Sequence, residues 1–496
     1  MRRASWVSLL ALASLAVAGA VPATAAAPGE LDGLEYVSLG DSYSAGFGLT
    51  PYSSTSPFAG DPNGCYQAHA NYPHNVASAL KLDLTDQTCS GAISANLGYP
   101  SGASFPIPVS ADPLPELPPG DQLQVTLSGM TAPELQIAGL SADTDVVTLA
   151  IGGNDLGFAD IATACIREDV DSDSVPLYLY YEVGADVSNC ADYFGNDSTY
   201  LGADLFTRLS GDVEPRIQST FDAVKQLAPN AQVFVVGYPQ IAPASATDAC
   251  FSSMDNDNAV PFSGTDIEFI NTVEGALDAT LQSQAEAHGF HFVSSWASTA
   301  NNTLCSNDPW ISGLTAYVNL DSSTCEAGYL PEADAYVCVK LGALHPNEQG
   351  VENLTALTTA AVQAAFHVSA SVDEAARGDA VDVTGSGFHP GETVRLELRL
   401  GGVTLQLGTA VADASGSFST SVTVPASAAV GSHTVHGVGL ESGRSFSDTL
   451  SVVRTAALAA TGPADATAAV LLGFGLLGLG AASVLAARTG RRRSNS

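Results

Sequence analysis

Positive charge is what this 496-residue sequence has least of. Lys and Arg number 17 against 52 Asp and Glu, a formal net charge of −35, and only three of them are lysines (Lys81, Lys225, Lys340). So acidic a chain is repelled by phosphate backbones, which argues against nucleic-acid binding. No CxxC spacing occurs among the eight cysteines, so a zinc site is not expected. Neither a metal nor a cofactor is expected elsewhere. Asp169–Asp173 and Asp255–Asp257 hold carboxylates, but their spacing fits no defined calcium loop. The GxSxG turn of α/β-hydrolase-fold nucleophiles is absent as well. Charged residues make up 14% and hydrophobic residues 46%, which excludes disorder as a global description. The length asks for two or three domains.

Both ends read as addresses. Arg2 and Arg3, the apolar run Trp6–Ala20 and the small residues around Ala23–Ala27 form a secretory signal over 1–27. An uncleaved N-terminal anchor is the alternative, although the run is short for a bilayer. At the other end, 467–487 is uncharged and long enough to span a membrane, and Arg488 and Arg491–Arg493 follow it. Just before it stands Leu458-Ala459-Ala460-Thr461-Gly462. With both ends removed, six arginines and Asp465 go, which leaves 51 acidic and 11 basic residues. That charge keeps a surface protein soluble.

All eight cysteines (Cys65, Cys89, Cys165, Cys190, Cys250, Cys305, Cys325, Cys338) fall within one stretch. An even number in an exported chain reads as four disulfides, and composition cannot choose among the 105 pairings. A sequential scheme, 65–89, 165–190, 250–305 and 325–338, would close four separate loops. The stretch they mark, 32–366, alternates strands (34–39, 82–88, 145–151, 232–237, 291–295) with helices (72–80, 203–227, 267–288, 346–366). That order predicts a three-layer α/β/α domain with a parallel, flavodoxin-like sheet. From 367 to 455 short β-branched runs separated by Gly and Pro turns predict a small Ig-like β-sandwich. His389, His433 and His436 within it read as surface or turn residues.

In an open parallel sheet, chemistry sits beyond the carboxyl ends of the strands. The first strand runs into Gly40-Asp41-Ser42-Tyr43-Ser44-Ala45-Gly46, where Ser42 is either an exposed hydroxyl or one of two residues available to cap a helix. The third runs into Gly152-Gly153-Asn154-Asp155, an amide donor or a plain turn. The second ends near Cys89-Ser90-Gly91, a further backbone N–H or a turn glycine. His345-Pro346-Asn347 opens the last helix, with Pro346 expected at its first position. Together these residues offer a nucleophile, a base and three oxyanion donors.

GDSYSAG, the glycine of CSGA, IGGND and HPN, in that order, resemble the blocks of the GDSL or SGNH hydrolases. NYPHNVASAL, VFVVGYP and LHPNEQG are similar to the secreted, disulfide-bonded lipase and esterase branch of actinobacteria. The resemblance implies Ser42 as nucleophile and His345 as base. It implies Ser42 N–H, Gly91 N–H and the Asn154 amide as oxyanion donors. The usual third member, an Asp three residues before the histidine, is here Gly342. Some members use a main-chain carbonyl instead, and the resemblance then gives that role to Gly342. A carbonyl fixes the same tautomer as a carboxylate but leaves the imidazolium without charge stabilisation. GSGFHPGETVRLEL resembles Ig-like modules of surface enzymes. The pentapeptide 458–462 resembles the LAxTG sorting signal, which implies cleavage between Thr461 and Gly462 and partnership with sortase and peptidoglycan. A plain membrane anchor is the alternative.

The expected protein is a monomeric, cell-surface carboxylic ester hydrolase acting on lipid or other acyl esters. A carbohydrate O-acetyl esterase and a surface adhesin with a dead site are the competing readings. Loops at 94–127, 165–200 and 313–338 exceed what the scaffold needs and are the expected place for substrate preference.

Overall fold

A computed structural model describes residues 29–52, 65–97, 136–158, 204–246, 248–252, 256–319, 329–330 and 335–454, with the single positions 161, 165, 191 and 194. The expected leader, the sorting signal and most of the loops at 94–127 and 165–200 lie outside them.

Five strands, β1 (Glu35–Gly40), β2 (Asp83–Asp86), β3 (Val146–Ala150), β4 (Gln232–Val236) and β5 (His291–Val293), form an all-parallel sheet in the order β2-β1-β3-β4-β5. Strands β3 and β4 are buried at every position, as a parallel sheet covered on both faces requires. The helices that frame the site are α1 (Ser42–Ala45), α2 (Tyr72–Leu80), α3 (Gly153–Leu156), α4 (Glu214–Leu227), α5 (Gly264–His288) and α6 (Glu348–Ala365). Alternation along β1 sorts its side chains between two cores. Tyr36 joins Tyr72, Val76 and Leu354 of α2 and α6, while Val37 and Leu39 join Phe221 and Leu281 of α4 and α5. The domain is therefore three-layered.

Two expectations change in detail. The helix expected over 203–227 is interrupted: an α-turn at Leu205–Arg208 passes through a π-helical stretch, Leu209–Val213, into α4. Pro346 is not the first residue of the last helix. It pairs with Ile311 in an isolated bridge, and Asn347 caps α6 by accepting from Gly350 N at 3.1 Å. A small antiparallel sheet of β6 (Ala316–Asn319), β7 (Tyr329–Leu330) and β8 (Ala335–Val339) leads into His345.

The C-terminal part is a β-sandwich of eight strands. They are β9 (His367–Ala370), β10 (Glu374–Ala376), β11 (Ala380–Ser386), β12 (Thr393–Leu400), β13 (Val403–Val411), β14 (Phe418–Thr423), β15 (Gly431–Gly439) and β16 (Ser445–Val453). Its sheets run β10-β16-β15-β12-β13 and β14-β11-β9, antiparallel except where β10 meets β16. His433 is not the surface residue expected: it is buried and pairs with the Ala429 carbonyl at 2.8 Å. The sandwich docks on the amino ends of the parallel strands. Arg444 reaches Asp145, the residue before β3, and donates to Gly387 O at 2.6 Å. Gln232, the first residue of β4, donates to Ser415 O at 3.3 Å. The carboxyl ends, where the motifs lie, are left to the opposite edge.

Disulfides Cys65–Cys89 and Cys250–Cys305 are present, two of the four pairs of the sequential scheme. Cys165 is disulfide-bonded; the side chains of Cys190, Cys325 and Cys338 fall outside the described set. Among the described residues no helix is long and apolar enough to cross a membrane, and no group of three ligating side chains suits a metal ion.

Candidate active site

Gly40 ends β1 at φ +141, and a Cβ there would lie 2.5 Å from the Ala150 carbonyl, so only glycine fits the turn. Asp41 is the cap of α1: its Oδ1 accepts from Tyr43 N at 3.0 Å. The cap and the hydroxyl are therefore separate residues, and Ser42 is free for other work. Ser42 Oγ and His345 Nε2 are 2.7 Å apart, and each residue is 8% exposed. His345 Nδ1 lies 2.7 Å from the carbonyl of Ala343. That carbonyl fixes the tautomer with the proton on Nδ1, leaving Nε2 to accept from Ser42.

The supporting carbonyl thus belongs to Ala343, and the assignment to Gly342 is corrected. The Gly342 carbonyl instead accepts from the backbone N–H of His345 at 3.0 Å. Gly342 has a different reason to be glycine: φ is +82, and a Cβ would come within 2.7 Å of Gly48 Cα. The histidine turn and the turn after α1 pack backbone against backbone there. An Asp at this position could not fit without moving that contact.

Burial pulls His345 down to about 4, against a smaller upward pull from the Ala343 carbonyl. Its ring is walled by Tyr43 at 4.7 Å, Phe47 at 5.1 Å and Phe158 at 6.2 Å between centroids. Tyr43 also donates its phenol to the Leu344 carbonyl at 2.7 Å, tying the nucleophile helix to the histidine turn.

Gly91 follows the Cys65–Cys89 disulfide at φ +79, and a Cβ added there would meet nothing within 4 Å. Asn154, in α3, donates Nδ2 to the Ala92 carbonyl at 3.0 Å, which sets its amide beside the Gly91 turn and leaves one N–H free. Asp155 accepts from Ser94 N at 2.9 Å and from its hydroxyl, clamping the two turns together.

Two residues that carried no role in the sequence turn out to hold the site. Tyr238 follows β4; its phenol donates to Asp41 Oδ2 at 2.5 Å and accepts from Gly153 N at 3.1 Å. It bridges the Ser42 turn to the Asn154 turn, and burial raises Asp41 to about 7 despite that bond. Gln136 closes the other side: it accepts from Gly40 N at 2.8 Å and donates to Gly40 O at 3.0 Å. A tyrosine at the carboxyl end of a buried strand was a usable signal for the first. Nothing marked the second.

An apolar cavity opens beside the dyad. Gly153, Phe158 and Leu344 line it next to the reacting groups, and Ile267, Ile270 and Leu277 of α5 line it farther in.

A serine hydroxyl bonded to a tautomer-fixed histidine at the carboxyl edge of a parallel sheet, beside an apolar cavity, defines a serine ester hydrolase. The model of the GDSL-like lipase/acylhydrolase family matches residues 38–352, and the chain belongs to that family. A macroglobulin-like domain matches 363–452. Lipase 1 of Streptomyces coelicolor is 29% identical over 331 residues, 65% of this chain and 94% of the relative. Lipase 2 of the same organism is 30% identical, covering 59% and 80%. The solved structure of an extracellular lipase from Streptomyces rimosus matches 66% of this chain and 99% of its own, at 21% identity and a TM-score of 0.40.

Proposed function

We propose that this chain is an exported, surface-tethered lipase or esterase working through an acyl-Ser42 intermediate. The observation that carries the reading is the 2.7 Å contact between Ser42 Oγ and His345 Nε2, with Nδ1 held by a main-chain carbonyl. Ser42 Oγ attacks the ester carbonyl while Nε2 takes its proton. The carbonyl oxygen becomes an oxyanion facing Ser42 N–H, Gly91 N–H and the free N–H of Asn154. Collapse breaks the bond to the alcohol, which leaves with the proton from Nε2. Water then repeats the sequence on the acyl-enzyme, releasing the acid and restoring the serine. Imidazolium formation is helped by the Ala343 carbonyl dipole, and among the described residues no carboxylate touches Nδ1.

The apolar cavity favours an acyl chain over an acetyl group, and with it the lipase reading over the O-acetyl esterase. Export agrees with the disulfides. Tethering by sortase at Thr461, or by 467–487 as a membrane anchor, agrees with the sandwich docking on the edge opposite the site, which leaves the Ser42 edge uncovered by it. The test is turnover of p-nitrophenyl acetate, butyrate and palmitate by the wild type and Ser42→Ala. Hydrolysis extending to palmitate and falling at least about 10⁴-fold in the variant is expected. Equal rates for the two proteins would refute the assignment, and turnover of acetate alone would favour the deacetylase.

A further inference from the structure

The cavity beside the dyad holds one polar misfit. Helix α5 turns Ile267, Ile270, Val273 and Leu277 toward it, the spacing of a single helical face. Glu274 belongs to the same stripe and is the one ionisable side chain among the described lining residues. Its Oε2 accepts from the backbone N–H of Ile241 at 3.2 Å and of Ala242 at 3.4 Å, tying the turn after β4 to α5. Its Oε1 is buried and meets no hydrogen-bond partner among the described residues.

Burial raises this carboxyl to about 8, so the acid keeps its proton at neutral pH. Both backbone donors address Oε2. The proton therefore sits on Oε1, an O–H in an apolar wall with no described residue to accept it. A buried donor without an acceptor is a standing cost. Holding the turn after β4 accounts for Oε2 and leaves Oε1 unexplained.

We propose that Glu274 is a specificity residue: its Oε1–H reads an oxygen carried part-way along the acyl chain, so that hydroxy- or oxo-acyl esters are taken in preference to plain alkanoyl esters. This rests on the ester-hydrolase reading of Ser42 and His345. A plain chain lying in the cavity leaves the Oε1 hydrogen unpaired. A chain with a hydroxyl or keto oxygen at the depth of Glu274 accepts it, after a side-chain adjustment that uncovers the atom.

The test compares kcat/KM for p-nitrophenyl decanoate with that for its 6-, 8- and 10-hydroxy derivatives, each ratio being read within one protein. The wild type is expected to prefer at least one hydroxylated chain by about tenfold, the worth of one neutral hydrogen bond. Glu274→Gln should keep the preference, because its amide carbonyl serves Ile241 and Ala242 while its N–H faces the chain. Glu274→Met should bring the ratio to about one. A wild type indifferent to the hydroxyl, or a Met variant with the wild-type ratio, would overturn the proposal. Failure to hydrolyse any of the esters would remove the reading it rests on as well.

Discussion

Glu397 of the β-sandwich and Asp41 of the hydrolase domain are both buried carboxyls, yet their surroundings push them in opposite directions. Burial raises Glu397, but hydrogen bonds from Arg399, Arg395 and Gln406 outweigh it and bring the group to about 2. Glu392 is likewise lowered, against burial, by donors from Ser442, His389 and Glu441. In the hydrolase domain burial wins. Asp41 rises to about 7, Glu274 to about 8 and Asp278 to about 6, and Asp86 and Asp155 rise too. Asp41, Asp86 and Asp155 all lie at the carboxyl ends of β1, β2 and β3. The sandwich satisfies its carboxylates, as a stabilising module does. At the rim burial outweighs the hydrogen bonds, so these acids hold their protons to higher pH than free carboxyls do. In a chain of net charge −35, an Asp41 raised to about 7 places less negative charge beside Ser42 near neutrality than an ordinary carboxylate would.

The comparison breaks most severely if the base is removed. His345→Ala should lower kcat at least about 10⁴-fold with the fold intact, checked by ester turnover and circular dichroism. Tyr238→Phe cuts the bridge between the Ser42 and Asn154 turns. We expect kcat to fall about 10–100-fold with KM little changed, the effect of misplacing an oxyanion donor. A purely structural role would lower the melting temperature and leave kcat alone. Losing the Tyr238 bond should also push Asp41 higher, so any falling limb of the pH–rate profile near 7 should move up.

Gly342→Asp supplies the residue that other family members place before the histidine, yet here it should harm. The left-handed backbone and the contact with Gly48 predict a stability loss of about 1–3 kcal/mol and no gain in rate, read by denaturant unfolding. The smallest expected effect concerns acid. Asp41, Glu274 and Asp278 have raised folded pKa values, so their stabilising contribution is full below about 4 and is lost as pH rises toward 8. His345, lowered to about 4, works the other way between 6.5 and 4. Glu397, lowered to about 2, contributes above its unfolded value and fades as pH falls toward 2. Hydrogen exchange corrected for intrinsic rates should show rim protection rising from pH 8 to 6.5, with sandwich protection flat over that range.

Much of the site was legible because side chains and glycines carried it. Ser42, Gly91, Asn154 and His345 stand in short blocks whose order along the chain matches the order of the strands that present them. What the structure added has no side-chain signature or a common one. Any residue can lend a carbonyl, so Ala343 left no trace, and Gly342 was read for its carbonyl when its missing Cβ is what matters. Glu274 is one acid among 52 on an amphipathic helix. In the sandwich, every second residue of β11 is buried, whereas β13 lies at a sheet edge with most of its residues exposed although its sequence alternates too.

The most direct test is fluorophosphonate labelling of the wild type and His345→Ala at pH 5.5 and 6.5, with the adduct located by mass spectrometry. A neutral, carbonyl-held His345 predicts a single adduct on Ser42, formed at nearly equal rates at the two pH values and absent from the variant. No adduct on Ser42, equal labelling of the variant, or a rate about fivefold slower at pH 5.5, as an ordinary histidine near 6.5 would give, would contradict it.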